Sequence, residues 1–156
     1  MIEHIPLALY VHIPWCERKC PYCDFNSHEN FDASLENPYV DALLNDLDQQ
    51  LGWAEGRELV SIFFGGGTPS LFSGDAIQRI LEGIQQRLRL AEHCEITLES
   101  NPGSAEARKY DAYQHAGVNR LSIGVQSFNE GHLSRLGRIH SGDEAIKAIA
   151  LARSAG

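Results

Sequence analysis

Three of the four cysteines, Cys16, Cys20 and Cys23, fall within eight residues, in the stretch 15-WCERKCPYCDFNS-27. A disulfide framework needs pairs, and one of these thiols is left over unless the distant Cys94 joins. A thioredoxin-like C-x-x-C uses Cys20 and Cys23 but gives Cys16 no part, and the pair does not open a helix cleanly. A metal centre uses all three. Zinc in a closed site takes a fourth ligand, and His28 is available by position. A four-iron cluster is usually held by four thiolates, so three leave one iron without a protein ligand. Such an open position is where catalytic metal sites bind substrate or cofactor. Spacing alone leaves zinc and iron–sulfur both open.

Other residues of chemical interest follow apolar runs. Gly65, Gly66 and Gly67 precede Thr68 and Pro69, either as a plain turn or as backbone that lets a ligand come close. Glu99 stands just before Asn101 and Pro102, as a turn cap or a ligand-binding carboxylate. Gln126 is expected to end a strand, and Arg138 to lie in the next loop. Tyr10 and Tyr22 flank the cysteines, where aromatics ordinarily pack. His12 alternates with apolar neighbours and reads as a satisfied buried histidine, and Cys94 as a small buried side chain.

The elements that must position these residues alternate. Four short apolar runs, 5–15, 59–65, 95–100 and 120–127, read as parallel strands covered on at least one face. Between them lie helical patterns. The first, about 38–51, has Asn37 as N-cap, Pro38 in its first position and a stripe of Val40, Leu43, Leu44, Leu47 and Leu51. The second, about 74–88, follows Ser73 and buries Ile77, Ile80, Leu81, Ile84 and Leu88. A third follows Ser104 and ends near Gly117. In the fourth, Ser141 and Glu144 have capping-box spacing and Gly156 marks the stop. Four βα units make a parallel sheet, either open and doubly wound or a barrel. In both, functional loops gather at the carboxyl ends of the strands, which brings the cysteines, the glycines, Glu99 and Gln126 to one edge.

The 156 residues, 43% hydrophobic and 22% charged, suit one globular domain spanning 1–156, without repeats or linkers. A net charge of −8 argues against a general nucleic-acid binder. The run 5–15 lacks the basic start of a signal peptide, since Glu3 stands there, and no stretch reaches the ~20 apolar residues of a membrane span. A cytoplasmic setting is expected, where clustered thiols stay reduced.

The combination 10-YVHIPWCERKCPYCDFNSH-28, GGGTPS, 98-LESNPG-103 and 119-NRLSIGVQSF-128 followed by 136-LGRIH-140 resembles the radical S-adenosylmethionine (SAM) superfamily across essentially the whole chain. Within it the resemblance is to the anaerobic coproporphyrinogen III oxidase branch, and there to its heme-chaperone type. It implies the first four βα units of a partial (β/α)6 barrel, with Cys16, Cys20 and Cys23 on a [4Fe–4S] cluster and SAM on the remaining iron. In that family the reduced cluster passes an electron to the sulfonium and releases a 5'-deoxyadenosyl radical. The resemblance gives Gly66, Gly67 and Thr68 to the SAM amino group and Glu99 to SAM. It brings Tyr10 near SAM, Tyr22 over the cluster, and Gln126 and Arg138 to a second SAM or whatever fills that space.

Oxidase members carry another cysteine two places after the last cluster ligand, where this chain has Phe25. That departure favours heme handling, with heme, a hemoprotein acceptor and a small electron-donor protein as partners, over porphyrinogen oxidation. Relatives of this kind continue through two more βα units and a C-terminal domain, so a fragment is expected. A noncatalytic heme carrier and a zinc-stabilised βα domain remain as alternatives.

Overall fold

The computed structural model describes residues 5–156, and for Ser104 and Ala105 the backbone alone; Glu3 lies outside the described residues. Strands β1 (Leu7–Ile13), β2 (Leu59–Gly66), β3 (Leu90–Ser100) and β4 (Arg120–Ile123) form one parallel sheet in the order β1-β2-β3-β4. Helices α1 (Glu36–Gln50) and α2 (Gly74–Gln85) make the first two crossovers, and α3 (Ser104–Ala107) with α4 (Tyr110–Ala116) the third. Helices α5 (Glu130–Arg135) and α6 (Gly142–Ala155) follow β4.

Strand alternation sorts the side chains into two faces. Val11, Ile13, Ile62, Phe64, Ile96 and Leu98 point to the helices and close on Ile77, Ile80, Leu81 and Ile84 of α2, all 0–6% exposed. Each such side chain stabilises the fold by ~1.5–3 kcal/mol relative to exposure. The other face carries Tyr10, His12, Phe63, Thr97, Glu99 and Ser122, aligned by the register Tyr10–Phe63, Phe63–Thr97 and Glu99–Ser122. A doubly wound sheet reverses its strand order and covers both faces. Sequential order with one covered face is the barrel arrangement, and it leaves a polar inner face for function.

The caps expected for α2 and α6 hold at atomic detail, whereas α2 ends at Gln85 and leaves Leu88 half-buried beyond the helix. Ser73 Oγ accepts from the Ala76 N–H at 3.1 Å, and Ser141 and Glu144 form the reciprocal capping box. Other boundaries move as well, and β1 runs over Leu7–Ile13 rather than 5–15. Helix α1 begins at Glu36 instead of Pro38, with Leu35 and not Asn37 in the N-cap position, because Asp32 caps a preceding 3-10 turn, Ala33–Leu35, that runs into it. Pro38 still costs nothing, since first-turn N–H groups have no helical acceptor. The third helix breaks between α3 and α4 at Lys109, whose ammonium donates to the carbonyls of Ser70, Leu71 and Phe72. Strand β3 starts earlier than expected, at Leu90. Strand β4 stops at Ile123, so Gln126 does not end it: tight turns bring Gln126 to a left-handed φ of 66° in the following loop.

Candidate functional site

The cysteine loop grows out of β1 and is closed at its base. The Cys16 N–H donates to the His28 carbonyl at 2.8 Å, and the His28 N–H to the Pro14 carbonyl at 2.7 Å. Within the loop, the Lys19 ammonium donates to the carbonyls of Phe25 and Ser27 at 3.2 and 3.3 Å, and the Lys19 N–H to Glu29 at 2.7 Å. Trp15 anchors the base by packing with Phe31, Tyr39 and Phe72 at ring separations of 4.8–6.0 Å. The thiol-bearing segment is thus held by backbone and packing without a disulfide, and all four cysteines are free. Cys94 is buried within β3, as expected for a small apolar side chain, and burial raises its thiol pKa.

The glycine run is more than a turn. At Gly66, with φ 116°, a Cβ would fall 2.5 Å from the His12 ring, and at Gly67 a Cβ would fall 2.5 Å from the Trp15 carbonyl. The two glycines let β2 close against the cysteine loop, with the N–H groups of Gly67 and Thr68 donating to Ile13 and Trp15 at 2.8 and 2.6 Å. His12 links the same parts. Its Nε2 lies 2.9 Å from the Asn26 carbonyl, which can only accept, so Nε2 carries the proton and Nδ1 accepts from the Tyr10 hydroxyl at 3.0 Å.

These elements enclose a cavity of about 390 Å³ at the carboxyl edge of the sheet. Cys16, Cys20, Cys23, Tyr22, Gly66, Gly67, Thr68, Glu99, Gln126 and Arg138 all line it. Tyr10 does not; it lies one step down the inner face, beside Gly65, where a Cβ would be 3.1 Å from both Tyr10 and Glu99. Burial lifts the Glu99 carboxyl above the usual carboxylate range, and the Gly66 N–H opposes this. Burial, and then the Glu99 charge, raise the Tyr10 hydroxyl. Burial and Cys20 raise Tyr22 against the pull of Arg138.

Residues beyond the expected set also contribute. Asn101 donates to Thr68 Oγ1 at 3.3 Å and accepts from Arg138 at 2.9 Å, joining the ends of β2 and β3 to the last loop. Its place in the LESNPG stretch was visible, its role was not. Arg18, Ser122 and Phe25 line the cavity as well, and Phe25 is exposed.

Three thiols and a backbone cradle opening on one cavity fit a cluster that takes each thiolate on a separate iron. The zinc arrangement asks for several ligands around a single ion, and among the described residues no three His, Cys, Asp or Glu side chains are so gathered. No helix among the described residues is long and apolar enough to cross a membrane.

Fold and site together define a partial βα barrel with a cysteine-lined ligand cavity at its carboxyl edge. The Radical SAM superfamily model matches residues 10–156, and the chain belongs to that superfamily, whose members in general carry a [4Fe–4S] cluster and SAM. It is 56% identical over 156 residues to the heme chaperone HemW of Escherichia coli (strain K12), covering 100% of this chain and 41% of that protein. It is 42% identical over 147 residues to the mitochondrial radical S-adenosyl methionine domain-containing protein 1 of Mus musculus, covering 94% of this chain and 33% of that one. Among solved structures, the coproporphyrinogen III oxidase HemN of Escherichia coli, a radical SAM enzyme, superposes with a TM-score of 0.86 at 30% identity, over 97% of this chain and 35% of that one. The chain therefore spans about two fifths of the length of the HemW protein it matches.

Proposed function

We propose that this chain is the cluster- and SAM-binding part of a heme-handling protein that delivers heme to a hemoprotein acceptor in the cytoplasm. The observation that carries the cofactor reading is the single cavity onto which Cys16, Cys20, Cys23, Gly66, Gly67, Thr68 and Glu99 all open. The three cysteines would ligate the cluster and leave one iron for SAM. Gly66 and Gly67 present backbone at the cavity wall to the SAM amino group, Thr68 a hydroxyl, and Glu99 a carboxylate for ammonium or ribose hydroxyls. Tyr10 supports Glu99 from the inner face, and Tyr22 shields the thiol loop from water. Gln126 and Arg138 also line the cavity, where a second ligand would lie. Bound together, cluster and SAM supply one-electron reduction of a sulfonium, with the electron drawn from a small donor protein.

Heme delivery is supported by the 56% identity to a protein described as a heme chaperone and by Phe25, which stands where porphyrinogen oxidases carry a further cysteine. The oxidase is the second reading, favoured by the close superposition on coproporphyrinogen III oxidase. Product analysis on the full-length protein separates them. Saturable heme uptake and transfer to an apo-hemoprotein, without decarboxylation of coproporphyrinogen III, is the expected result; conversion of that substrate would overturn it.

A further inference from the structure

We propose that Arg138 sets the reduction potential of the cluster held by Cys16, Cys20 and Cys23, by donating a hydrogen bond to the Cys20 sulfur. The inference rests on the cluster reading above and goes beyond it, since resemblance gave Arg138 only a place beside a second ligand. Arg138 Nη1 lies 3.2 Å from Cys20 Sγ, across 118 residues of sequence. The other arm of the guanidinium is fixed: Nη2 donates to Asn101 Oδ1 at 2.9 Å and to the Gly124 carbonyl at 2.7 Å. These are neutral acceptors, and no carboxylate among the described residues pairs with Arg138. Its Nε is buried without a partner among the described residues. A partly buried cation without an anion is costly, and the anion this geometry supplies is the thiolate at position 20.

The backbone delivers the guanidinium to that sulfur. Helix α5 ends in a Schellman motif, with the Gly137 N–H donating to Ser134 and the Arg138 N–H to Leu133. Gly137 has a φ of 69°, and a Cβ there would stand 3.0 Å from the ring of Pro21, the residue after Cys20. The segment therefore rests directly on the cysteine loop, and only glycine permits that approach.

Reduction adds one electron, taken from an external reductant, and makes or breaks no bond. A fixed cation and N–H donor at a cluster sulfur stabilise the more negative, reduced form and raise the potential. The test is an anaerobic redox titration of the reconstituted full-length protein, without SAM, following the paramagnetic signal of the reduced cluster. Arg138→Gln is expected to disfavour reduction about tenfold, a downward shift of about 59 mV for a one-electron couple. Arg138→Lys is expected to shift it less, since the charge stays while the fork shared by Cys20, Asn101 and Gly124 is lost. A merely structural tie would lower cluster content and leave the midpoint of bound clusters where it was. Equal midpoints in parent and variants overturn the proposal. Should Arg138→Gln not fold, Arg138→Lys decides alone: a lowered midpoint supports the proposal and an unchanged one overturns it. A parent protein that takes up no cluster overturns the proposed function and this inference with it.

Discussion

Glu99 shows how a single residue trades stability for binding. Burial lifts its carboxyl pKa, so the folded protein holds that proton more tightly than the unfolded chain does. The associated stability is complete below the unfolded value of about 4.3 and is lost as pH rises through the higher folded value. Glu99→Gln is therefore expected to raise the thermal midpoint of the ligand-free protein near neutral pH and not at about pH 4. The same change is expected to weaken SAM binding about 10- to 100-fold, the loss of a charge-assisted contact, as read by calorimetry. At Cys20 the expectation is simpler: Cys20→Ala abolishes cluster absorption while the fold, whose cysteine loop is closed at its base by the Cys16–His28 and His28–Pro14 backbone hydrogen bonds, keeps its circular dichroism.

At the scale of elements, the caps and close approaches that aim the loops carry the stability. Ser73 accepts from Ala76 and donates to Glu36, and its N–H also donates to Glu36, tying the start of α1 to α2. Ser73→Ala is expected to cost about 1–2 kcal/mol in urea unfolding. Gly67→Ala is expected to cost at least as much and to loosen the cysteine loop, because its Cβ would meet the Trp15 carbonyl. The Ser73 cap, the Ser141–Glu144 box and the four strands were legible because each is written in neighbouring residues. What escaped the sequence depends on distant partners. Lys109 breaks the third helix to satisfy carbonyls 37–39 residues away. Helix α5, with six residues, is too short for periodicity to reveal. The thiol spacing and the glycine run marked the site, whereas the bridges made by Asn101 and Arg138 exist only once the strand ends converge.

For the whole molecule, one covered sheet face leaves the inner face polar and open, and the stability of its far rim is linked to pH through His140. That ring is 5% exposed, with Nε2 at 3.1 Å from the Val125 carbonyl. Burial lowers its pKa, Val125 and the nearby Glu144 and Glu130 oppose the shift, and Arg138 reinforces it. The unfolded chain thus binds the proton first: His140 contributes its full stability above about pH 6.5 and loses it as pH falls through the lower folded value. The thermal midpoint should fall between about pH 7 and 5, with a shallower slope in His140→Leu. The central claim, that three thiolates bind a cluster whose remaining iron is completed by SAM, is tested most directly by anaerobic reconstitution followed by paramagnetic resonance with and without SAM. Iron and sulfide in the ratio of a [4Fe–4S] cluster are expected, with a reduced-cluster signal that changes when SAM is added. One tightly bound zinc with no cluster signal, or a cluster signal indifferent to SAM, would contradict it.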